Sequence, residues 1–272
     1  MREFLLDRLP PQAPVEEMLA AGEFVDDRGR AWNGDEEYRP HVFVWFHRRP
    51  APEVPVPFPI DVIEQHERFV VVDKPNFLAT TPRGAHARET ALARLRVQLG
   101  LPELAPAHRL DRLTAGVLLF TTERAHRGAY AQLFQDRRVS KTYEALAQFD
   151  PAVDFPRRLL NRIEKERGVL QAQIVPGTPN AETQVEIVEV RGDVGRYRLT
   201  PSTGQTHQLR VQMCALGLPI LGDSLYPEVE QVAPDDFSQP LQLIARRLAF
   251  TDPVDGTARE FASERELAWP TR

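Results

Sequence analysis

Cysteine and long apolar runs are what this 272-residue chain has least of. Its single cysteine, Cys214, cannot form an intrachain disulfide, and this is consistent with a reducing compartment. No stretch reaches the roughly 18 apolar residues that cross a bilayer, and the start Met1-Arg2-Glu3-Phe4 does not resemble a signal peptide. We therefore expect a cytoplasmic protein without a membrane span, with Cys214 packed inside a helix.

The chain also lacks the short motifs that hold nucleotides and metals. It contains neither a GxxxxGK phosphate loop nor a dinucleotide-type glycine motif. His108 and His207 are the histidines that suggest a metal. No cysteine or carboxylate cluster lies at ligand spacing beside them, and histidine serves as readily as a hydrogen-bonding support. We predict no metal and no cofactor.

Positive charge is in deficit overall, because 34 Lys and Arg stand against 39 Asp and Glu. Residues 83–145 reverse this balance with eleven Lys or Arg and six Asp or Glu. A local basic surplus is the electrostatic feature expected of a nucleic-acid site. We expect Arg88, Arg94 and Arg96 to contribute to that site; the alternative is that they form only a solvated helix face.

The pattern divides into two segments, residues 1–57 and 58–272. In the first, residues 15–22 predict a short helix that ends at a glycine, and the alternation at residues 41–46 predicts a strand. The proline-rich residues 50–57 predict an extended linker.

Alternation of apolar and polar residues dominates the second segment, and helical spacing is rarer. The pattern predicts helices at 89–99 and 123–138, and strands at 69–75, 117–121, 141–148, 182–190, 196–200 and 241–250. This combination indicates an α+β fold built on antiparallel sheet.

Residues 108–116 read His-Arg-Leu-Asp-Arg-Leu-Thr-Ala-Gly and are the most informative stretch. They place the carboxylate of Asp111 between the guanidiniums of Arg109 and Arg112, which favours its ionised form. Thr114 adds a hydroxyl at the turn before the next strand. A surface ion pair on a loop would explain the charges alone. The whole pattern, however, resembles the HRLD signature of the RluA-type pseudouridine synthases.

Three further segments resemble landmarks of that family in the same order. Residues 141–145 (KTYEA) are similar to its K-x-Y-x-A strand, and residues 203–210 (TGQTHQLR) to its TGRTHQ segment. Residues 218–226 (LPILGDSLY) are similar to its HPxLGDxLYG loop. Gln205 replaces the usual arginine and Leu218 the usual histidine. The resemblance implies the pseudouridine synthase fold, a mixed, mostly antiparallel sheet with an RNA-binding cleft across its middle.

Residues 1–57 resemble only the second half of the small RNA-binding domain that many relatives carry at this position. The basic helices expected at the start of that domain are missing. We therefore expect a truncated version, and whether it binds RNA is left open.

The resemblance implies an isomerase that converts uridines of structured ribosomal or transfer RNA into pseudouridine. The base must leave the sugar through its nitrogen, rotate, and rejoin through carbon 5, with no redox change. Asp111 is the implied catalytic carboxylate, either attacking the anomeric carbon or removing a proton from the second sugar carbon. Arg210 is implied to pair with Asp111, and Tyr143 to stack on the uracil.

The same resemblance implies the residues that hold the RNA. Arg109 corresponds to an arginine that fills the space left by a flipped base. The remaining substrate-binding candidates are His108, Thr114, Lys141, Gly204 and His207. We expect Lys141 to contact a phosphate or to support the carboxylate, and the protein to act as a monomer without a protein partner.

Two other functions remain open from the residues. One is a non-catalytic RNA-binding protein, which would have no need of Asp111, Tyr143 and Arg210 together. The other is a hydrolase with Asp111 as nucleophile, although no histidine base or Gly-x-Ser-x-Gly elbow is evident.

Overall fold

The computed structural model describes residues 1–10, 13–46, 53–82 and 86–270. The chain divides into a small unit, residues 1–52, and a large unit, residues 53–272. The division falls earlier than the sequence suggested.

The predicted linker lies partly outside the described residues, at positions 50–52. Its described part, residues 53–57, belongs to the large unit. Glu53 accepts hydrogen bonds from the backbone N–H groups of Ala87, Arg88 and Glu89, and the side chain of Val56 is buried.

The small unit contains helices α1 (Arg2–Arg8) and α2 (Val15–Ala20), so the helix predicted at 15–22 is confirmed. Its core consists of six buried residues, Met1, Leu5, Val15, Met18, Leu19 and Phe24. The strand predicted at 41–46 is wrong. Only an isolated bridge between Val25 and Trp45 forms there, and an alternating segment without a full partner strand does not make a sheet.

The described part of the large unit contains three helices and eleven strands. The helices are α3 (Ala91–Leu99), α4 (Arg124–Gln135) and α5 (Gln208–Ala215). The strands are β1 (Asp61–Gln65), β2 (Phe69–Lys74), β3 (Ala105–Pro106), β4 (Ala115–Thr121), β5 (Val139–Gln148), β6 (Arg157–Glu164), β7 (Gln173–Val175), β8 (Ala181–Arg191), β9 (Val194–Pro201), β10 (Leu243–Thr251) and β11 (Ala258–Ala262). All the helices and strands predicted for this unit are present, with ends that differ by a few residues.

One sheet runs through the large unit in the order β1-β2-β4-β10-β5-β9-β8-β6-β7, with β3 also paired to β4 and β11 to β10. Strands β4 and β10 are parallel, and the other pairs are antiparallel. The α+β class and the mixed, mostly antiparallel sheet are thereby confirmed.

Strands β2 and β4 are buried on both faces of the sheet. Alternate residues of β2 and β4 belong to two different hydrophobic clusters. One cluster contains Val70, Val72, Leu118 and Phe120, and the other contains Phe69, Val71, Val117 and Leu119. This explains why both strands are uninterrupted apolar runs rather than alternating ones.

Helix α4 ends three residues before the predicted end at residue 138. The Arg138 N–H donates to the Leu133 carbonyl at 2.8 Å, and the Arg137 N–H donates to the Phe134 carbonyl at 3.3 Å. This pair of bonds is a Schellman motif. Arg137 has a φ of +57° at the position where glycine is usual, which costs a residue with a Cβ roughly 1–2 kcal/mol.

Gly116 allows the parallel strands β4 and β10 to meet. It pairs with Ala245 and has a φ of +111°, and a Cβ at this position would overlap the backbone nitrogen, carbon and oxygen of Ala245. Ala245 also pairs with Tyr143 of β5, so Gly116 and Tyr143 lie at the same level of the sheet, two strands apart. Gly116 therefore sets the distance across this part of the sheet.

We predict that Gly116→Ala lowers the free energy of unfolding by at least about 2 kcal/mol, because the added methyl overlaps backbone atoms and the φ is strained. Gly128→Ala is the matched control, since Gly128 lies in α4 and an added methyl there would meet no atom within 4 Å. It should stabilise the protein by up to about 1 kcal/mol. Urea unfolding of both variants measures the difference, and equal stabilities would contradict the assignment.

Candidate active site

A cleft of about 1160 Å³ opens on the large unit. This is larger than the roughly 300–1,000 Å³ of typical small-molecule sites and suits a segment of polymer. All nine site residues that the family resemblance implied line it: His108, Arg109, Asp111, Thr114, Lys141, Tyr143, Gly204, His207 and Arg210. Residues 165–170, in the loop between β6 and β7, form another part of the cleft lining, and the sequence did not predict them.

Asp111 lies in the loop before β4 and faces Arg210 of α5. The distance from Asp111 Oδ2 to Arg210 Nη1 is 3.5 Å. The Asp111 side chain is 30% exposed and the Arg210 side chain only 2%, so the carboxylate is accessible while its partner is buried. A carboxylate held beside a fixed cation is suited to act as an anion towards a ligand in the cleft.

Arg210 is held mainly by Asp223, which the sequence interpretation did not assign. Its Nε donates to Asp223 Oδ2 at 2.8 Å and its Nη2 donates to Oδ1 at 2.6 Å. Burial opposes the charge on Arg210, but the hydrogen bonds and the charge of Asp223 raise its pKa overall. The LGDSLY segment contains Asp223, so the signal was present, but the partner is thirteen residues away from Arg210 in sequence.

Neither of the two arginines that flank Asp111 in sequence forms an ion pair with it among the described residues. In the parts of the chain that the structure describes, Arg210 is the ion-pair partner of Asp111. Arg109 is exposed and lines the cleft. Burial and the nearby charge of Arg210 lower the pKa of Arg112.

Tyr143 lies on β5 between β10 and β9, opposite Ala245 and Leu199. It is half-buried, packs against the main core and lines the cleft. Burial and the charge of Asp111 raise its pKa, so the phenol stays neutral. A neutral aromatic ring close to the carboxylate offers a surface on which a base can stack.

His108 and Lys141 are held by protein groups of their own. His108 stacks on Phe134 with ring centroids 4.4 Å apart, and its Nε2 accepts from the Leu119 N–H. Burial, with a smaller effect of Lys141, lowers the pKa of His108 to about 3, so its ring is neutral. Lys141 Nζ donates to the Thr203 carbonyl at 2.9 Å, and burial lowers its pKa, which the sequence gave no reason to expect.

The other three substrate-binding candidates shape the loops around the carboxylate. The Thr114 N–H donates to the Asp111 carbonyl at 3.1 Å, which closes the turn. His207 begins α5 with a φ of +56°, and its Nδ1 lies 3.0 Å from the Tyr226 hydroxyl. Burial lowers the pKa of His207 against the opposing effect of Asp111. Gly204 is exposed beside Lys141.

Lys74 at the end of β2 is a buried residue that sequence reasoning missed. Its Nζ donates to the carbonyls of Pro75 and Leu78 at 2.9 and 2.8 Å, and to that of Arg112 at 3.4 Å. Burial lowers its pKa to about 7, with the charge of Asp111 acting in the opposite direction. Lys74 thus joins β2 to the loop that contains the carboxylate.

Neither Arg88, which precedes the basic helix α3, nor Arg94 and Arg96 within it line the cleft, contrary to the expectation. Arg94 donates to the carbonyls of Val56 and Phe58, and Arg96 donates to the Leu104 carbonyl. The guanidiniums of Arg94 and Arg96 thus hold neighbouring backbone carbonyls. The cationic residues that do line the cleft are Arg109, Arg112, Arg137, Lys141, Lys165, Arg167 and Arg210. Four of these seven belong to the basic segment 83–145, so the segment contributes through Arg109, Arg112, Arg137 and Lys141 and not through the three arginines in and before α3.

Across the described ranges, no group of three or more His, Cys, Asp or Glu residues is placed to hold a metal ion. In the same ranges no helix is long and apolar enough to cross a membrane.

Comparison with known proteins gives consistent results. Residues 68–215 match the family described as RNA pseudouridylate synthase. The dual-specificity RNA pseudouridine synthase RluA of Yersinia pestis is 34% identical over 221 residues, which cover 76% of this chain and 99% of that protein. The protein of the same name from Haemophilus influenzae is 30% identical, with coverages of 76% and 94%. The solved structure of human RNA pseudouridylate synthase domain containing 4 matches with a TM-score of 0.57 at 25% identity, covering 76% of this chain and 88% of that one.

We predict that Asp223→Asn destabilises the protein by roughly 3 kcal/mol, because the buried Arg210 cation loses its main counter-charge and keeps only the longer contact with Asp111. The substitution should also lower the rate of the reaction in the cleft, although Asp223 itself is buried and does not line the cleft. Glu260→Gln is the matched control, since it removes a carboxylate from the exposed ion pair with Arg247. That variant should stay within about 0.5 kcal/mol of the parent in urea unfolding. A parental stability for Asp223→Asn would refute the role of the pair.

Proposed function

Because this chain belongs to the RNA pseudouridylate synthase family and is an isomerase that acts on RNA, we propose that Asp111 is the carboxylate that performs its isomerisation of uridine. The observation that carries the proposal is the pairing of an accessible carboxylate with a buried guanidinium fixed by Asp223. The guanidinium keeps the carboxylate oriented towards the cleft, and the exposed oxygen is free to meet a ribose.

The reaction needs no external reagent. The bond from uracil N1 to the anomeric carbon breaks, the base rotates, and a bond from carbon 5 to the anomeric carbon forms. Carbon 5 then loses its proton and N1 gains one, so atoms and charge balance. Asp111 acts either as nucleophile at the anomeric carbon or as base towards the second sugar carbon. Both routes require the ionised form.

The detached uracil must be held while it turns. Tyr143 supplies the aromatic face, because its ring lines the cleft and its raised pKa keeps it uncharged. Arg109 supplies the group that enters the RNA stack, because it is exposed at the cleft. Flipping the base costs a few kcal/mol, which contacts of this kind repay.

Charge in the cleft favours RNA as the occupant, since seven Lys or Arg side chains line it against two Asp or Glu, Asp111 and Glu166. We propose ribosomal or transfer RNA as the substrate, and the dual specificity in the names of the bacterial relatives supports more than one RNA target. Action as a monomer and a cytoplasmic location stay predictions, of which light scattering tests the first.

The two alternative functions give different products. A non-catalytic RNA-binding protein would release nothing from RNA labelled with tritium at uracil carbon 5. A hydrolase would release free uracil. An isomerase releases tritium to water and leaves the base in the RNA, so one assay separates the three.

We predict that Asp111→Asn abolishes tritium release from transfer or ribosomal RNA transcripts and changes the Kd for RNA by only a few fold. The amide keeps the shape of the side chain but cannot act as an anion. Asp193→Asn, in the exposed turn between β8 and β9, is the control and should be fully active. Turnover by Asp111→Asn near the parental rate would rule out the assignment.

We predict that Tyr143→Ala cuts turnover sharply and weakens RNA binding, because removal of the ring forfeits a stacking contact of ~1–3 kcal/mol. Tyr143→Phe should retain more of the binding, because the ring remains. Gel-shift measurements of Kd and single-turnover tritium release compare the two variants. Equal loss of binding in both would show that stacking is not the role of this side chain.

A further inference from the structure

Arg137 is an unpaired guanidinium at the cleft. It is exposed and lines the cleft together with Lys141, Gly204 and Gln205. Its side chain has neither a hydrogen bond nor an ion pair with any residue in the described ranges. The nearby carboxylate of Glu182, whose pKa Arg137 lowers as the smallest of several causes, is already bonded to Arg158. Within the part of the chain that the structure describes, Arg137 therefore acts on Glu182 only as a weak, more distant charge.

The backbone of Arg137 is strained where glycine would relieve it. Its φ of +57° lies in the left-handed region, at the position of the Schellman motif that glycine usually occupies. A side chain in a strained conformation that has no hydrogen bond or ion pair among the described residues points to a ligand.

The surroundings of Arg137 suit an anion. After burial, its charge is the second cause of the lowered pKa of Lys141, so the two cations are close together. Lys141 Nζ is directed to the Thr203 carbonyl, next to Gly204 and Gln205. Gln205 is neutral, and its amide donates to the Asn180 carbonyl. This part of the cleft therefore depends on Arg137 for a free positive charge.

We propose that Arg137 binds a backbone phosphate of the RNA substrate, beside the loop in which Gln205 carries no charge. The proposal rests on the proposed function and names a binding residue for it. Arg137 contacts a phosphate away from the reacting sugar, so it affects the binding of RNA and leaves the chemical step to Asp111. Arg137 lines the cleft from the turn that follows α4.

The test uses Arg137→Gly in the full chain, because glycine relieves the strained φ and should leave the unfolding midpoint unchanged or higher. The Kd for an unmodified transfer RNA transcript should rise about tenfold. The slope of log Kd against log salt should fall by about 1, which is the contribution of one phosphate contact. The kcat at saturating RNA should stay parental.

Arg138→Ala is the matched control, since Arg138 is exposed and does not line the cleft. The Kd and the salt slope of this variant should be parental.

A second variant tests the position of the phosphate. Gln205→Arg in the Arg137→Gly background should recover at least half of the lost salt slope, because it restores a cation to the same part of the cleft. A parental salt slope for Arg137→Gly, an equal loss in Arg138→Ala, or no recovery in the double variant would overturn the proposal. Failure of the parent enzyme to release tritium from any RNA would instead overturn the proposed function.

Discussion

A buried guanidinium is the constraint on which the site depends. Arg210 is almost fully enclosed, and an enclosed cation requires a counter-charge with matching geometry. Asp223 supplies it through two hydrogen bonds and also accepts from the backbone N–H groups of Leu225 and Tyr226. The orientation of Asp111 thus depends on a loop more than a hundred residues further along the chain.

Burial divides the basic groups in and next to the cleft into two classes. The pKa of His108, which lines the cleft, falls to about 3, and that of Lys74, which lies behind the Asp111 loop, falls to about 7, so at neutral pH His108 is uncharged and Lys74 has lost part of its charge. Both serve as hydrogen-bonding supports. Arginine keeps its charge under the same conditions. Attraction for RNA is therefore carried largely by guanidiniums, and the cleft keeps its positive potential across the neutral range.

The sequence predicted the helices and strands of the large unit, and the nine site residues implied by the resemblance lie in one cleft, because short apolar runs and collinear motifs are local signals. It missed what depends on partners distant in sequence. Asp223 matters because it binds Arg210, and Lys74 matters because it donates to the Arg112 carbonyl; both partners are distant in sequence. Arg94 and Arg96 were assigned to the RNA because charge counts do not show which backbone carbonyls an arginine reaches.

The position of β10 has a consequence for how the protein is made. Strands β4 and β5 are neighbours in sequence, but β10 lies between them in the sheet, with Ala245 opposite both Gly116 and Tyr143. A ribosome releases β4 and β5 long before β10 exists, and their apolar edges must stay apart until it arrives. A nascent chain can therefore contain the whole HRLD segment and Tyr143 and still lack the strand that joins them in one sheet. Insertion of this late strand completes the sheet, and such non-local pairing is slow to form.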